Sequence, residues 1–327
     1  MAFSVYPATG GFVDNTSAAT FIPELWSVEI KAAFKANLTM ANLVKKMPMK
    51  GKKGDTIHIP APVRGSANAK AENTAVTVQN NTEGEVVVTI DKHYEFSRLI
   101  EDITEVQALD SLRQFYTDDA GYGLARQMDT DIFTLGTGLG DGTFDATPLP
   151  ADWEHSACFF NDSANGKTVF TEDTVVDGDV FDDAFLRGCI QELDDNDVPM
   201  SDRYLVVPPA LKNRMLGIER FSSSDFVNAK GVVTGQFGEV YGVPVYVSTQ
   251  CPVIETAAQG AAGLNVNLRG AFLFHRDAFI LAEQMDIRSQ TQDKLEWLGT
   301  LYVADCLYGI KNYRTEAGVV MAVPNIV

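Results

Sequence analysis

The sequence predicts an α+β fold organised around one long helix. Three observations carry that prediction. Residues 104–135 keep a helical period throughout, and residues 271–323 read almost entirely as strand. Two strand signals, near Ile57 and after Gly84, bracket a stretch that is polar from end to end. A spine helix with strands from both chain ends and a separate central lobe is α+β in class.

Taken in order, residues 1–20 are small, polar and Gly-rich and read as a flexible arm. From Pro23 the apolar residues Leu25, Trp26, Ile30, Phe34 and Leu38 recur on a helical face, and Pro23 suits the first turn. A basic turn then leads into alternating Ile57, Ile59 and Ala61. The next strand signal, GEVVVTIDKHYEF, starts at Gly84, and residues 65–83 between the two hold no Leu, Ile, Met or aromatic residue. A polar loop of that length does not fit inside a compact domain. The expectation is a two-stranded arm that projects from the body. A lone hairpin is marginal in water, so the arm is expected to be ordered by lying on another molecule.

The spine comes next. Val106, Leu109, Leu112, Phe115 or Tyr116, Ala120, Leu124, Met128, Ile132 and Leu135 step by threes and fours along one face. Asp110, Arg113, Asp118, Asp119, Arg126 and Asp129 are expected off it. Thr104 fits as N-cap with Glu105 in the first turn, and Gly136, Gly138 and Gly140 end the run. Such a helix is roughly 45 Å long. Gly121 and Gly123 cost about 1 kcal/mol each against Ala, which predicts a bend or close packing there.

Residues 136–177 are loop-rich, with short strand-like pieces at 158–160 and 167–170. Residues 180–196 read as an amphipathic helix with Val180, Ala184, Leu186, Ile190 and Leu193 towards the core. Arg203 to Val207 form a buried strand, and a Pro pair starts a helix at Ala210. After a loop over 221–235, Val240, Val243, Val245 and Val247 alternate around a turn at Gly242. The remainder, AFLFHRDAFILAEQM, DKLEWLGTLYVADCLYGIKNY and GVVMAV, is strand-like.

Bulk properties restrict function. At 327 residues and 45% hydrophobic, the chain is long enough for two domains or one multi-lobed body. Net charge is −18 and unevenly spread: residues 1–60 carry seven Lys against four acids, and residues 101–200 four bases against 23 acids. Phosphate contacts need clustered Lys and Arg, so a polyanion would meet the N-terminal third, where Lys31, Lys35, Lys45 and Lys46 lie. Cys158, Cys189, Cys251 and Cys306 make no C-x-x-C pair and are expected as reduced thiols in a cytosolic setting. No signal peptide or membrane span is expected.

Enzyme signatures are lacking. The glycines at 136, 138, 140 and 142 lack dinucleotide-loop spacing and follow a helix. There is no P-loop, and Ser222–Ser224 is not a nucleophile elbow. His58, His93, His155 and His275 are scattered; His155 and Cys158 on one helical face are two ligands, which do not make a zinc site. Asp194, Asp195 and Asp197 lack the Gly and Glu of a calcium loop and read as a solvated helix end. No catalytic, cofactor-binding or metal residue is therefore expected.

Three features resemble the major capsid proteins of tailed phages, the Hong Kong 97-like fold. One is the strand-Pro-helix unit Tyr204–Gly217 followed by Gly-x-x-x-Gly-x-Pro-Val-Tyr-x-Ser from Gly238 to Ser248. Another is the apolar strand Leu301–Ile310, then Tyr313, Arg314, Thr315, Glu316 and Ala317, then a closing strand. There Thr315 stands where the family commonly has Pro. The third is the order of parts over nearly the whole chain. The resemblance implies an N-terminal arm and helix over 1–49 and an extended loop over 50–96. It also implies a peripheral domain with the spine helix over 97–138 and 276–327, and an axial domain with a connecting insertion over 139–275.

In function, the resemblance implies an icosahedral shell of hexamers and pentamers around double-stranded DNA, located in the virion and assembled in the host cytoplasm. N-arm and extended loop would lie across neighbouring subunits, with Trp26 and Phe34 contributing. Implied partners are further copies of the chain, a separate scaffolding protein, a portal protein, a possible decoration protein and packaged DNA, with no membrane. Some family members cross-link a loop Lys to an Asn of the next subunit. Here Lys70 with Asn312 or Asn325 would serve, but cross-linking is not expected. A nanocompartment shell of encapsulin type shares the fold and is the alternative.

Overall fold

The computed structural model of the chain describes residues 39–49, 54–61, 65, 67–76, 78, 84–101, 112–139, 156–171, 179–218, 238–254 and 268–324. The N-terminal arm, the helix from Pro23, the Thr104 cap, the turn at Lys50–Lys53, the loop over 221–235, His155 and Asn325 lie outside them.

Helices α1 (Met40–Leu43), α2 (Leu112–Gly136), α3 (Asp183–Asp195) and α4 (Pro209–Leu216) accompany fourteen strands among the described residues. The strands of the first half are β1 (Lys45–Pro48), β2 (Thr56–Ala61), β3 (Gly84–Thr89), β4 (Lys92–Glu101), β5 (Cys158–Asp162) and β6 (Gly166–Val169). They continue with β7 (Arg203–Val207), β8 (Glu239–Val240), β9 (Val243–Val247), β10 (Val253–Ile254) and β11 (Leu268–His275). Last come β12 (Phe279–Lys294), β13 (Gly299–Asn312) and β14 (Gly318–Pro324).

They form three sheets. The first is four-stranded in the order β1-β12-β13-β4. Its centre is the long antiparallel pair β12–β13, from Phe279 opposite Asn312 to Lys294 opposite Gly299, with irregular register between Glu283 and Arg288. The second runs β6-β5-β14-β11-β7-β9-β8, with β10 also on β11. Strands β11 and β14 pair antiparallel and are buried almost without alternation, as strands covered on both faces must be. The third is the pair β2–β3, from Thr56 opposite Thr89 to Ala61 opposite Gly84.

Two expected elements divide differently. The run GEVVVTIDKHYEF is two strands, not one. The break falls at Ile90 and Asp91, where Ile90 N–H turns to Asp55 O at 2.8 Å, so β3 stays with the arm while β4 joins β13. The helix expected from 180 begins at Asp183, because Asp182 caps it by accepting from Phe185 N–H at 2.7 Å. Its buried face is accordingly Phe185, Leu186, Cys189 and Leu193, while Ala184 is exposed. Helix α4 starts one residue before the expected Ala210, on Pro209. At Tyr241 and Gly242 both φ are positive (52° and 78°), the conformation a two-residue hairpin turn needs.

Helix α2 binds the parts together. Its stripe is where the period predicts it: Ala120, Leu124, Ile132 and Leu135 are buried and Met128 partly so. Asp129, expected on the wet side, is instead 0% exposed. Its carboxylate accepts from the backbone N–H of Thr39 and of Ala41, each at 2.8 Å. It thereby caps α1, which has no side-chain cap of its own. Asp131, two residues on, accepts from Tyr308 Oη at 2.9 Å, Tyr94 Oη at 3.2 Å and Gln127 Nε2 at 2.9 Å, with Lys92 Nζ at 3.5 Å. That clamps the helix onto β13 and β4. The C-terminal end is held by Asn312 Nδ2, which donates to Leu135 O and Gly138 O at 3.3 Å each. A Cβ at Gly136 would meet the Phe272 ring at 2.9 Å, so a side chain there would push α2 off the second sheet.

Burial raises the Asp129 carboxyl above the ordinary value, against the lowering pull of the Ala41, Thr39 and Met40 amides and of Lys46. The Tyr308 and Tyr94 hydroxyls are raised by burial first and by Asp131 next. An acid with a raised folded pKa binds more protons native than unfolded, so the stability it contributes falls as pH rises above about 4. Asp129→Asn loses an acceptor for one α1 amide. Chemical denaturation should show the variant destabilised by about 1–3 kcal/mol, with the gap to wild type narrowing as pH rises through that window. A gap that widens with pH would contradict the role.

Candidate assembly surfaces

The arm is built from the β2–β3 ladder. A small separate core of Met49, Val88, Ile90, Ile280 and Ala282, with Met47, Ile57 and Ile59 against it, fastens its base to the first sheet. His58 pairs across the ladder with Val87 and sits 3.0 Å from Glu85 Oε2, which makes it a surface pairing residue. Beyond Ala61 the described residues form no strand until Gly84. Val76 and Val78 are 73% and 86% exposed, and Lys70 and Glu72 are exposed as well. Asn73 at φ 58° and the Thr74 Oγ1 bond to Ala71 O at 2.8 Å mark a turn.

A second exposed apolar cluster was not expected. The run DKLEWLGT, read as strand, contains a turn at 295–298 that carries Leu295 at 88%, Trp297 at 63% and Leu298, also exposed. It crowns the outer half of β12 and β13, where every β12 residue from Ile287 to Asp293 is exposed. The available signal was an L-E-W-L run that matches neither period and stops at Gly299.

On the adjoining sheet face, Arg288 forks onto Asp305 at 2.7 and 2.9 Å, and His93 Nε2 lies 3.2 Å from the same carboxylate. The strand registers impose this, with Asp305 opposite Arg288 on β12 and opposite Glu95 on β4. The Arg288 fork, aided by His93 and opposed by partial burial, holds the Asp305 carboxyl below its ordinary value. That stabilisation is lost as pH falls through the lowered value.

Other sequence candidates are dispersed. Lys45 pairs with Asp277 at 3.1 Å and Lys46 with Glu283 at 3.8 Å, so neither is an unpaired cation for a polyanion; Lys31 and Lys35 lie outside the described residues. Asn312, named as a possible cross-link acceptor, is buried and its amide nitrogen is committed to the end of α2. Cys158 is in a strand, not on a helix with His155. All four cysteines are buried free thiols, and burial pushes Cys189 and Cys251 up to about 12, so they are poor nucleophiles. Asp194 binds the buried Arg203 at 2.7 Å. A Cβ at Gly121 or Gly123 would meet nothing within 4 Å, which removes close packing as the reason for glycine there. Among the described residues no three His, Cys, Asp or Glu gather as a metal site, and no helix is long and apolar enough to cross a membrane.

The exposed apolar residues at Val76 and Val78 and at the 295–298 turn are compatible with what the chain is similar to. A family model described as phage capsid protein matches residues 40–310. No curated protein sequence matches. Among solved structures, one from cyanophage P-SCSP1u, a capsid structure, aligns with TM-score 0.72 at 20% identity, covering 99% of this chain and 100% of that one. A chain from Mycobacterium phage Che8 aligns with TM-score 0.69 at 21% identity, covering 92% and 97%. A chain of the cyanophage Pam1 capsid asymmetric unit aligns with TM-score 0.70 at 11% identity, covering 96% and 99%. At these identities the structural likeness speaks for the fold, the tailed-phage capsid fold, and the family model speaks for descent. The chain belongs to the phage capsid protein family.

Proposed function

We propose that this capsid protein builds the icosahedral shell of a tailed phage virion from hexamers and pentamers of itself, around double-stranded DNA. The observation that carries the reading is the arm: a strand pair packed on the first sheet through Ile57, Ile59, Val88 and Ile90, followed by exposed Val76 and Val78 that the described residues leave uncovered. A neighbouring subunit is the surface that would cover them. In this reading residues 50–96 are the extended loop. Residues 97–138 and 276–327 are the peripheral domain and residues 139–275 the axial domain. The closing strand β14 joins the two by pairing with β11 and β5. The matched family is that of phage capsids, so the nanocompartment reading is set aside.

The role is structural. No bond is made or broken; subunits bury area at each contact, on the order of 1,200–2,000 Å² for a specific interface and more for an obligate one. The net charge of −18 discourages promiscuous association until shape selects the right contact. A separate scaffolding protein, a portal and a decoration protein complete the proposed partners, with packaged DNA met through non-specific contacts. Expansion on packaging would unbend α2 at Gly121 and Gly123, where glycine costs helix stability for no packing gain.

Three outcomes are expected. Negative-stain microscopy of the protein, alone and with a candidate scaffold, shows closed shells, tubes or spirals; discrete small oligomers under every condition would end the shell reading. Deleting residues 66–82 leaves a folded soluble subunit by circular dichroism but no shells; an unfolded monomer would count against an intersubunit role for the arm. Replacing both Gly121 and Gly123 by Ala raises helix stability by about 1 kcal/mol each and blocks expansion, and shells that expand normally would refute the hinge.

A further inference from the structure

The first sheet has two outer edges, and they are not alike. Edge strand β4 carries Lys92, Glu95, Arg98 and Glu101, charges of the kind that keep an exposed edge from pairing. On the other side β1 pairs with β12 only from Ile280 to Glu283, where Met49 N–H adds a last bond to Glu283 O at 2.9 Å. Beyond that point no described strand lies on the outer side of β12, and Ile287 to Asp293 are all exposed.

Nothing in this stretch blocks an added strand. It holds no proline, and its register on β13 is regular from Arg288 to Lys294. Its two charges are engaged on β13: Arg288 forks onto Asp305, and Asp293 accepts from Thr300 Oγ1 at 3.1 Å. Between them lie Ser289, Gln290, Thr291 and Gln292, side chains that hydrogen-bond one another across a ladder. In an antiparallel pair every second residue points its N–H and C=O away from the existing partner. The outer half of β12 is therefore an open row of donors and acceptors, the template for one more strand.

Its residue order says what fits. A second copy related by a two-fold axis normal to the sheet adds an antiparallel strand in which one residue faces itself. Centred on Arg288 or Asp293, such a pair opposes two like charges, and centred on Thr291 it sets Arg288 against Lys294. Only centred on Gln290 does it set Asp286 against Lys294, with Arg288 against Gln292 and Ser289 against Thr291. The same register brings each exposed turn at 295–298 up to the end of the other copy's β1.

We propose that the outer edge of β12 is a self-pairing edge. Residues 287–293 add antiparallel to the same stretch of a second copy, with Gln290 opposite Gln290, and join two first sheets into one. The contact is non-covalent, and it takes from the shell reading only that copies of the chain meet.

The test is Gln290→Cys in the full chain, oxidised with diamide, since all four native thiols are buried. In this register the two substituted Cβ atoms lie about 5 Å apart, and a disulfide dimer is expected on a non-reducing gel. Those of Gln292→Cys lie about 13 Å apart and give none. Gels are run on the soluble protein and on any shells, and microscopy scores the shells separately. No dimer from Gln290→Cys, or an equal yield from Gln292→Cys, overturns the proposal whether or not shells form. A dimer without shells upholds the edge and removes the shell reading alone. A second comparison keeps Gln290→Cys and changes its flanks. Ser289→Lys with Thr291→Lys sets like charges opposite each other and lowers the dimer yield about fivefold. Ser289→Lys with Thr291→Glu sets opposite charges there and restores the yield to within about twofold. An undiminished yield in the first, or no recovery in the second, also overturns it.

Discussion

Two carboxylates on one turn of α2 hold this fold in register. Asp129 and Asp131 are both buried, and a buried carboxylate is tolerated only when its lone pairs are met. Asp129 meets the free amides of a four-residue helix, too short to be stable alone, and so sets where the N-terminal part of the chain joins the body. Asp131 gathers two tyrosine hydroxyls from adjacent strands of the first sheet. With Asn312 closing the last turn, the helix is tied by polar bonds to each piece that the chain order scatters: residues near 40, near 94 and near 310. Apolar packing alone would leave the helix free to slide along the sheet; directional bonds of this kind do not.

The remainder of the molecule divides into what is satisfied within one chain and what is not. Strands β11 and β14 are buried on both faces and need nothing further. The arm and the turn at 295–298 are the opposite case. Each is a hairpin end that carries apolar side chains past the reach of its own core, and each therefore gains by contact with another molecule. In the proposed shell, the body would fold on its own and these two ends would be completed by contact with other copies.

Much of this was legible in the residues, for a physical reason in each case. The α2 stripe, the β7-to-α4 unit and the Gly242 turn depend on local period, proline geometry and positive φ, all of which neighbouring residues set. The exposure of the described residues between Ala61 and Gly84 was legible because nothing in that polar stretch could form a core. The turn within DKLEWLGT and the two-strand nature of GEVVVTIDKHYEF were not, because a run of apolar and β-branched residues does not say which partner each half will find. Asp129 shows the limit most plainly, since a charged residue one step off a helical stripe reads as solvent-facing unless its hydrogen-bond partner is known.

By itself, then, the sequence determined the class of fold, the apolar stripe of α2, the strand pair β2–β3 with a polar stretch between and the family, since periodicity and turn chemistry are properties of adjacent residues. Only the tertiary structure decided that Asp129 and Asp131 are clamps and that Asn312 is a helix cap. It also decided that Lys45 and Lys46 are spent on ion pairs and that Trp297 stands at an exposed tip. The clamps, the cap and the ion pairs each depend on a partner far away in the chain, as with Asp129 and Thr39, which are 90 apart. The pairing of such partners follows from how the sheets and α2 pack, which no local pattern encodes.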